Sequence, residues 1–366
     1  MRGSGPVGVI AAVAVLAVLS GCAAAPPGRT EVGTRPGTVH AAAQLAAARE
    51  ASDAVVAERV PAAEPGCSAA VARKGVVLWA GAGGMADLKH KIPDTIETRF
   101  DIASVSKQFT AISILMLQRE GKLKVSDPIA RYVGGLPPWG ASVTLDQLIH
   151  HTSRIPDYWV ELDEIGIGFS DPADQAATLD AIRRATRLEP GSGFLYSNSN
   201  YVLLAEVVRK TSGLTLPQFL DERIFTPLGL DMVLAPTLHA DDIALSYDDD
   251  LNRQEAGWTS YGHTGIITTA SELVRWGDQY RKSDIIQQDF FDGAVYEAAG
   301  EYYAAGMDIE VDGDLNHTGR MGGFVSDFTV SADRETTIAV MCNGHLSDRF
   351  GIAKDLWAIW GRPLAE

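Results

Sequence analysis

Phe100-Asp101-Ile102-Ala103-Ser104-Val105-Ser106-Lys107 is the stretch from which the fold is read. Its first four residues read as a strand or turn feeding a helix from Ser104 to Glu120. Phe109, Ile112, Leu115 and Met116 fall on one face of that helix, and Gly121 supplies its stop. Ser104 and Lys107 stand one helical turn apart, about 5–6 Å between Cβ atoms. A serine at a helix N-terminus sits where backbone N–H groups and the dipole favour a developing negative charge. A neighbouring amine can take its proton if burial and another cation lower the amine's pKa. Alone the pattern is weak: a chain with nine lysines has roughly an even chance of one Ser-x-x-Lys. Lys107 is nonetheless the one lysine here preceded by Ser at that spacing.

Two later strings complete a set. Tyr196-Ser197-Asn198 follows Pro190-Gly191-Ser192-Gly193, and so lies on a loop ahead of a helix. A phenol near a lysine ammonium can be drawn toward phenolate and act as base, then as acid to a leaving group. The Asn198 amide can orient Lys107 and hydrogen-bond a substrate carbonyl. His317-Thr318-Gly319 ends an expected strand. There Gly319 would let substrate backbone approach, Thr318 offers a hydroxyl, and His317 can tune Tyr196 or shuttle its proton. The N–H of Arg320, beside that of Ser104, would be a second oxyanion donor. Each string alone reads more simply as an ordinary turn or hairpin.

Around these strings the chain is strands, a long helical insert, then strands and a helix. Ala41 to Val60 reads as an amphipathic helix, and Ser68–Arg73 and Val76–Trp79 as a hairpin across Lys74-Gly75. Gly81, Gly83 and Gly84 mark an irregular segment without a dinucleotide fingerprint, since position 86 is Ala. Helices are expected at 144–149, 200–209, 216–224 and 271–280. Strands are expected at 305–311, 315–319, 326–330 and 336–341, with a last helix from about Arg349 to Trp360. The fold class is therefore α/β (α+β): an antiparallel sheet formed by both chain ends, flanked by terminal helices, with a large mostly helical insertion.

The three strings in this order resemble the serine β-lactamase and penicillin-binding DD-peptidase superfamily, on its class C and exocellular DD-carboxypeptidase side. The resemblance covers about residues 45 to 365. Leu123-Lys-Val-Ser-Asp127-Pro128, His150-His-Thr-Ser-Arg-Ile-Pro156-Asp157-Tyr158 and Ile224-Phe-Thr-Pro-Leu-Gly229 are similar to further family segments, with Arg154 where Gly is usual. It implies Ser104 as nucleophile, Lys107 as base, Tyr196 as proton relay, Asn198 as polar anchor and His317 in the third motif's basic position. His317 departs from the Lys of most β-lactamases, and Arg320 is the candidate clamp for a substrate carboxylate. Cys67 and Cys342, read by themselves, are a disulfide or two small buried hydrophobes. The family's antiparallel first and last strands would bring them face to face.

Arg2, the apolar run Val7–Leu19 and Ser20-Gly21-Cys22 read as a secretory signal whose Leu19–Cys22 end resembles a bacterial lipobox. The expected division is residues 1–21 as lipoprotein signal, 22–40 as a flexible tether and 41–366 as the hydrolase domain. Within that domain the α/β part covers about 41–100 and 300–366, and the helical part about 101–299. Lipidation of Cys22 would place the protein at the outer face of a bacterial membrane, in contact with it only through the lipid. The formal net charge of −16 argues against nucleic acid as a partner. His150, His151 and His345 have no metal-ligand spacing, and the expected chemistry needs no metal or other cofactor. A monomer acting on a small molecule or a peptidoglycan-type peptide is expected. D-Ala-D-Ala carboxypeptidase or β-lactamase-like hydrolysis through a Ser104 acyl-enzyme leads. An esterase or D-amino-acid amidase, a non-turnover penicillin-binding sensor, and a non-catalytic interaction protein are the alternatives.

Overall fold

The structure, a computed structural model, describes residues 36–281 and 283–361. Cys22, the signal and most of the tether lie outside the described residues. In chain order, α1 (Pro36–Arg59) precedes the hairpin β1 (Cys67–Arg73) and β2 (Val76–Gly83). The short strands β3 (Met85–Asp87), β4 (Ile92–Pro93) and β5 (Phe100–Asp101) follow. The helical insert holds α2 (Lys107–Arg119), α3 (Leu145–Ile149), α4 (Tyr158–Asp163), α5 (Gln175–Arg184), α6 (Asn198–Ser212), α7 (Leu216–Leu220) and α8 (Thr226–Leu228). Then come β6 (Val233–Leu234), β7 (Ile266–Thr268) and α9 (Ala270–Trp276). The chain closes with β8 (Val295–Tyr296), β9 (Tyr302–Tyr303), β10 (Asp308–Ile309), β11 (Leu315–Met321), β12 (Phe324–Val330), β13 (Thr336–Cys342) and α10 (Arg349–Trp360).

Both chain ends build one sheet, in the order β2-β1-β13-β12-β11-β10-β9-β8. β1 and β13 pair antiparallel with Cys67 opposite Cys342, and the two sulfurs are bonded across 275 residues of sequence. The period-two pattern of a strand sends alternate residues to opposite faces. Val71, Ile338 and Val340 pack with Val56, Ile352, Leu356 and Trp360 beneath α1 and α10. Ala70, Ala339 and Met341 face the larger core, which takes in Phe109 of α2 and Leu273 and Trp276 of α9. The sheet is thus a middle layer, and the site described below lies where the helical insert meets β11.

Three local expectations change. The helix drawn from Ala41 extends back to Pro36, into the stretch read as tether. Proline is tolerated in a first turn, whose N–H would be unpaired anyway, and propagation adds one hydrogen bond per residue. The segment Gly81–Gly84 is strand up to Gly83, where β2 pairs with Cys67. Gly83 makes room for the neighbouring layer: a Cβ there would stand 3.1 Å from Cγ1 of Val56 in α1. The expected strand at 305–311 is only Asp308–Ile309, because Gly306 turns with φ +88° against the backbone of α2. Among the described residues no helix is long and apolar enough to cross a membrane.

Candidate active site

Ser104 sits in a 3-10 turn, Ala103–Ser106, between β5 and α2 rather than in the α-helix itself. The turn is held from three sides. Asp101 Oδ1 accepts the Ala103 N–H at 2.7 Å, which fixes Ala103 in the left-handed region at φ 49°. Ser326 Oγ on β12 donates to the Ile102 carbonyl at 2.8 Å. Gly319 on β11 is the third: a Cβ there would lie 2.4 Å from the Ile102 oxygen and 3.0 Å from Ala103 Cβ. The missing side chain of Gly319 therefore admits the serine's own turn, rather than the substrate backbone expected from sequence. Burial pushes Asp101 up to about 6, against the opposing pull of the Ala103 N–H.

Lys107 is fully buried at the head of α2. Its Nζ donates to Ser104 Oγ at 2.9 Å, to Asn198 Oδ1 at 2.8 Å and to the His263 carbonyl at 3.0 Å. All three partners are neutral, so no carboxylate in contact with the amine offsets the loss of water. Burial lowers the amine to about 7, and the more distant Asp157 opposes this. Asp157 acts through Asn198, whose backbone N–H and Nδ2 both donate to Asp157 Oδ2 at 2.9 Å. The amide is thereby oriented with its oxygen toward the lysine.

Tyr196 lies with its ring centroid 4.8 Å from Lys107 Nζ. The residue is 37% exposed and forms part of the cavity wall. Burial of the phenol pushes its pKa well above the ordinary value, and the Ser104 hydroxyl opposes this only in part. The phenolate anticipated from the neighbouring lysine is thus not the resting form. Desolvation of an anion outweighs the cation, and that cation is itself titrated near neutrality.

His317 is buried on β11, with the Thr318 carbonyl 2.7 Å from Nδ1 and the Tyr303 hydroxyl 3.3 Å from Nε2. A carbonyl can only accept, so Nδ1 carries the proton and Nε2 accepts from Tyr303. Burial, then Lys107, lowers the imidazole to about 3. His317 is therefore a neutral ring bonded to Tyr303. The spacing predicts instead a basic group and a partner for Tyr196, whose ring centroid lies 6.4 Å away.

Ser104, Tyr196, Asn198, His317, Thr318, Gly319 and Arg320 all line one cavity of ≈ 330 Å³. On β11 only Leu315 and Asn316 pair with β10, which leaves the strand edge beyond them open toward the cavity. Arg320 is exposed there, and Arg349 shares the wall. Glu297 and Asp308 line it as well. Burial pushes Asp308 up to about 9, and the neighbouring Glu297 carboxyl adds to this.

Three residues of this site were missed from sequence. Asp157 and His151 stand in the quoted 150–158 segment but drew no role, because what they touch lies 40 or more residues away. His263 opens a second His-Thr-Gly, 263–265, directly before β7. Its carbonyl holds Lys107, and its Nε2 lies 2.8 Å from the Tyr158 hydroxyl. The repeated triplet was the available signal, and only tertiary placement tells the two copies apart.

A Ser–Lys pair at the head of a buried helix, set between an antiparallel sheet and a helical insert, defines a β-lactamase and transpeptidase-like fold. The Beta-lactamase family model matches residues 53–358, and the chain belongs to that family. It is 34% identical over 162 residues to a penicillin-binding protein of Bacillus subtilis, covering 44% of this chain and 36% of that one. Over 221 residues it is 32% identical to a D-aminopeptidase of Brucella anthropi, covering 58% and 42%. The chain thus spans less than half the length of these two relatives. A penicillin-binding protein homologue from Pyrococcus abyssi superposes with a TM-score of 0.72 at 22% identity, over 87% of this chain and 78% of that one, a likeness of fold.

Proposed function

We propose that the protein is a serine hydrolase that opens peptide or amide bonds of D-amino-acid substrates through a Ser104 acyl-enzyme, with D-Ala-D-Ala peptides the leading class. The observation that carries this is the Lys107 amine, 2.9 Å from Ser104 Oγ and lowered to about 7 among neutral partners. A base poised near the working pH is what general base catalysis asks for. Neutral Lys107 takes the proton as Oγ attacks the substrate carbonyl. The oxyanion forms against the N–H groups of Ser104 and Arg320. The C–N bond then breaks, and the departing amine takes a proton from the Tyr196 phenol, which Lys107 resupplies. Water then attacks the resulting ester, giving one proton to Lys107; the C–O bond breaks, and that proton passes to Oγ and restores the enzyme. Arg320 and Arg349 suit a substrate that ends in a carboxylate.

A second reading has its own support. Glu297 and Asp308 line the same cavity and favour a substrate bearing an ammonium, and one relative is named a D-aminopeptidase. An amidase or aminopeptidase acting on free D-amino groups is the alternative. Export and lipidation of Cys22 belong to the proposal too. The Cys67–Cys342 bond supports an oxidising compartment, and loss of fatty-acid labelling in Cys22→Ala tests the anchor.

The test of the reaction is intact mass over time after exposure of residues 23–366 to a fluorescent penicillin. An adduct that Ser104→Ala abolishes, and that decays, is expected. A persistent adduct turns the reading toward a non-turnover penicillin-binding protein. If no adduct forms, competition between D-Ala-D-Ala peptides and D-alaninamide decides between the two substrate classes, and inertness to both refutes the reaction.

A further inference from the structure

His151 makes three separate contacts with the three consecutive residues around Tyr196. Its carbonyl accepts the Leu195 N–H at 2.7 Å. Its ring lies against the Tyr196 ring, with centroids 4.3 Å apart and planes 31° from parallel. Its Nδ1 accepts the Ser197 N–H at 3.1 Å and Asn200 Nδ2 at 3.0 Å. Two donors on Nδ1 require the lone pair there, so the proton is on Nε2. The imidazole is fully buried, and burial together with Lys107 holds it neutral. The Asn200 amide is itself fixed, because its Oδ1 accepts from Ser153 Oγ at 2.6 Å. An apolar residue would supply the stacking but none of the hydrogen bonds to 197 and 200. The backbone of His151 is left-handed, φ 52°, a conformation that non-glycine residues hold only against strain.

We propose that His151 is a positioning residue for Tyr196: it clamps the backbone on both sides of the tyrosine and the plane of its ring, so that the phenol points at the leaving group. This rests on the reading above, in which Tyr196 protonates the departing amine. A phenol displaced by about 1 Å loses much of its proton-transfer efficiency while leaving the serine and lysine untouched.

The test exploits leaving-group chemistry. D-Alanine p-nitrophenyl ester expels p-nitrophenolate without a proton, whereas D-alanine p-nitroanilide must be protonated at nitrogen. Tyr196→Phe is the control: its anilide rate should fall far more than its ester rate. His151→Ala should show the same signature, an anilide kcat lower by about 10- to 100-fold with the ester within about 3-fold and KM little changed. His151→Asn tolerates the left-handed backbone and places an oxygen near the old Nδ1, and should recover the anilide rate to within about 5-fold of wild type. His151→Phe keeps the stacking, lacks the acceptor and should stay impaired. If the alanine variant does not fold, the Asn and Phe variants decide. Equal losses on ester and anilide overturn the inference, and so does a fully active His151→Phe. Wild-type protein inert to these substrates and to D-Ala-D-Ala peptides, or Tyr196→Phe without the leaving-group signature, overturns the underlying reading instead.

Discussion

Replacing Asp157 with Asn should move the acidic limb of the pH–rate profile to lower pH. In the wild type the limb of kcat/KM should lie near 7, where burial holds Lys107, because the amine must be neutral to accept the Ser104 proton. The Asp157 charge opposes that lowering. The hydrogen bonds from Lys107 to Asn198 and from Asn198 to Asp157, 2.8 and 2.9 Å, set the two charges about 7 Å apart across one amide. At an effective dielectric constant of about 20 that separation is worth about 2 kcal/mol, or roughly 1 to 2 pH units. The sign follows from the charge: without the carboxylate the ammonium is less stable, its pKa falls, and the base is available at lower pH. Asn is close in shape, so the plateau should hold within about tenfold while the limb moves. The assay is kcat/KM for D-alanine p-nitrophenyl ester between pH 4 and 9, in both proteins at constant ionic strength. A limb that stays in place with the plateau intact, or that moves upward, refutes Lys107 as the titrating base.

Removing the disulfide by Cys67→Ala with Cys342→Ala should lower unfolding stability by about 2–5 kcal/mol, read from the shift of the denaturant midpoint, because the bond closes a loop of 275 residues. A midpoint unchanged from wild type would show that β1–β13 pairing alone holds the chain ends. Gly319→Val places a side chain against the Ile102 oxygen and Ala103, and should slow Ser104 acylation by more than tenfold, measured by adduct mass. Wild-type acylation in that variant would mean the turn docks elsewhere. Arg320→Ala should cost about 3- to 10-fold in kcat/KM for a carboxylate-terminated D-Ala-D-Ala peptide and little for the corresponding neutral amide. Equal effects on both would remove Arg320 from substrate recognition.

Much of the fold is legible because its signals are local. Lys74-Gly75 between two apolar runs makes the hairpin of β1 and β2, and Arg349–Trp360 forms a helix where the sequence predicts it. Ser104 and Lys107 lie within one turn, so sequence spacing alone puts Lys107 Nζ within reach of Ser104 Oγ. The errors arise where a neighbour from far along the chain decides. Gly81 and Gly83 look like loop until β1 pairs with them and α1 packs on Gly83.

The inventory of the site is written in the sequence: a serine and an amine one helical turn apart, a phenol and an amide two residues apart, and the His-Thr-Gly triplet at 317–319. Their charge and their duties come from tertiary packing. Lys107 is lowered to about 7, His317 to about 3 and Tyr196 raised because each is taken out of water by residues distant in sequence. The same packing sends His317 to Tyr303 rather than to Tyr196, and gives His263 only its carbonyl to offer Lys107. A protonation state is a property of surroundings, and surroundings exist only once the chain has closed around the group.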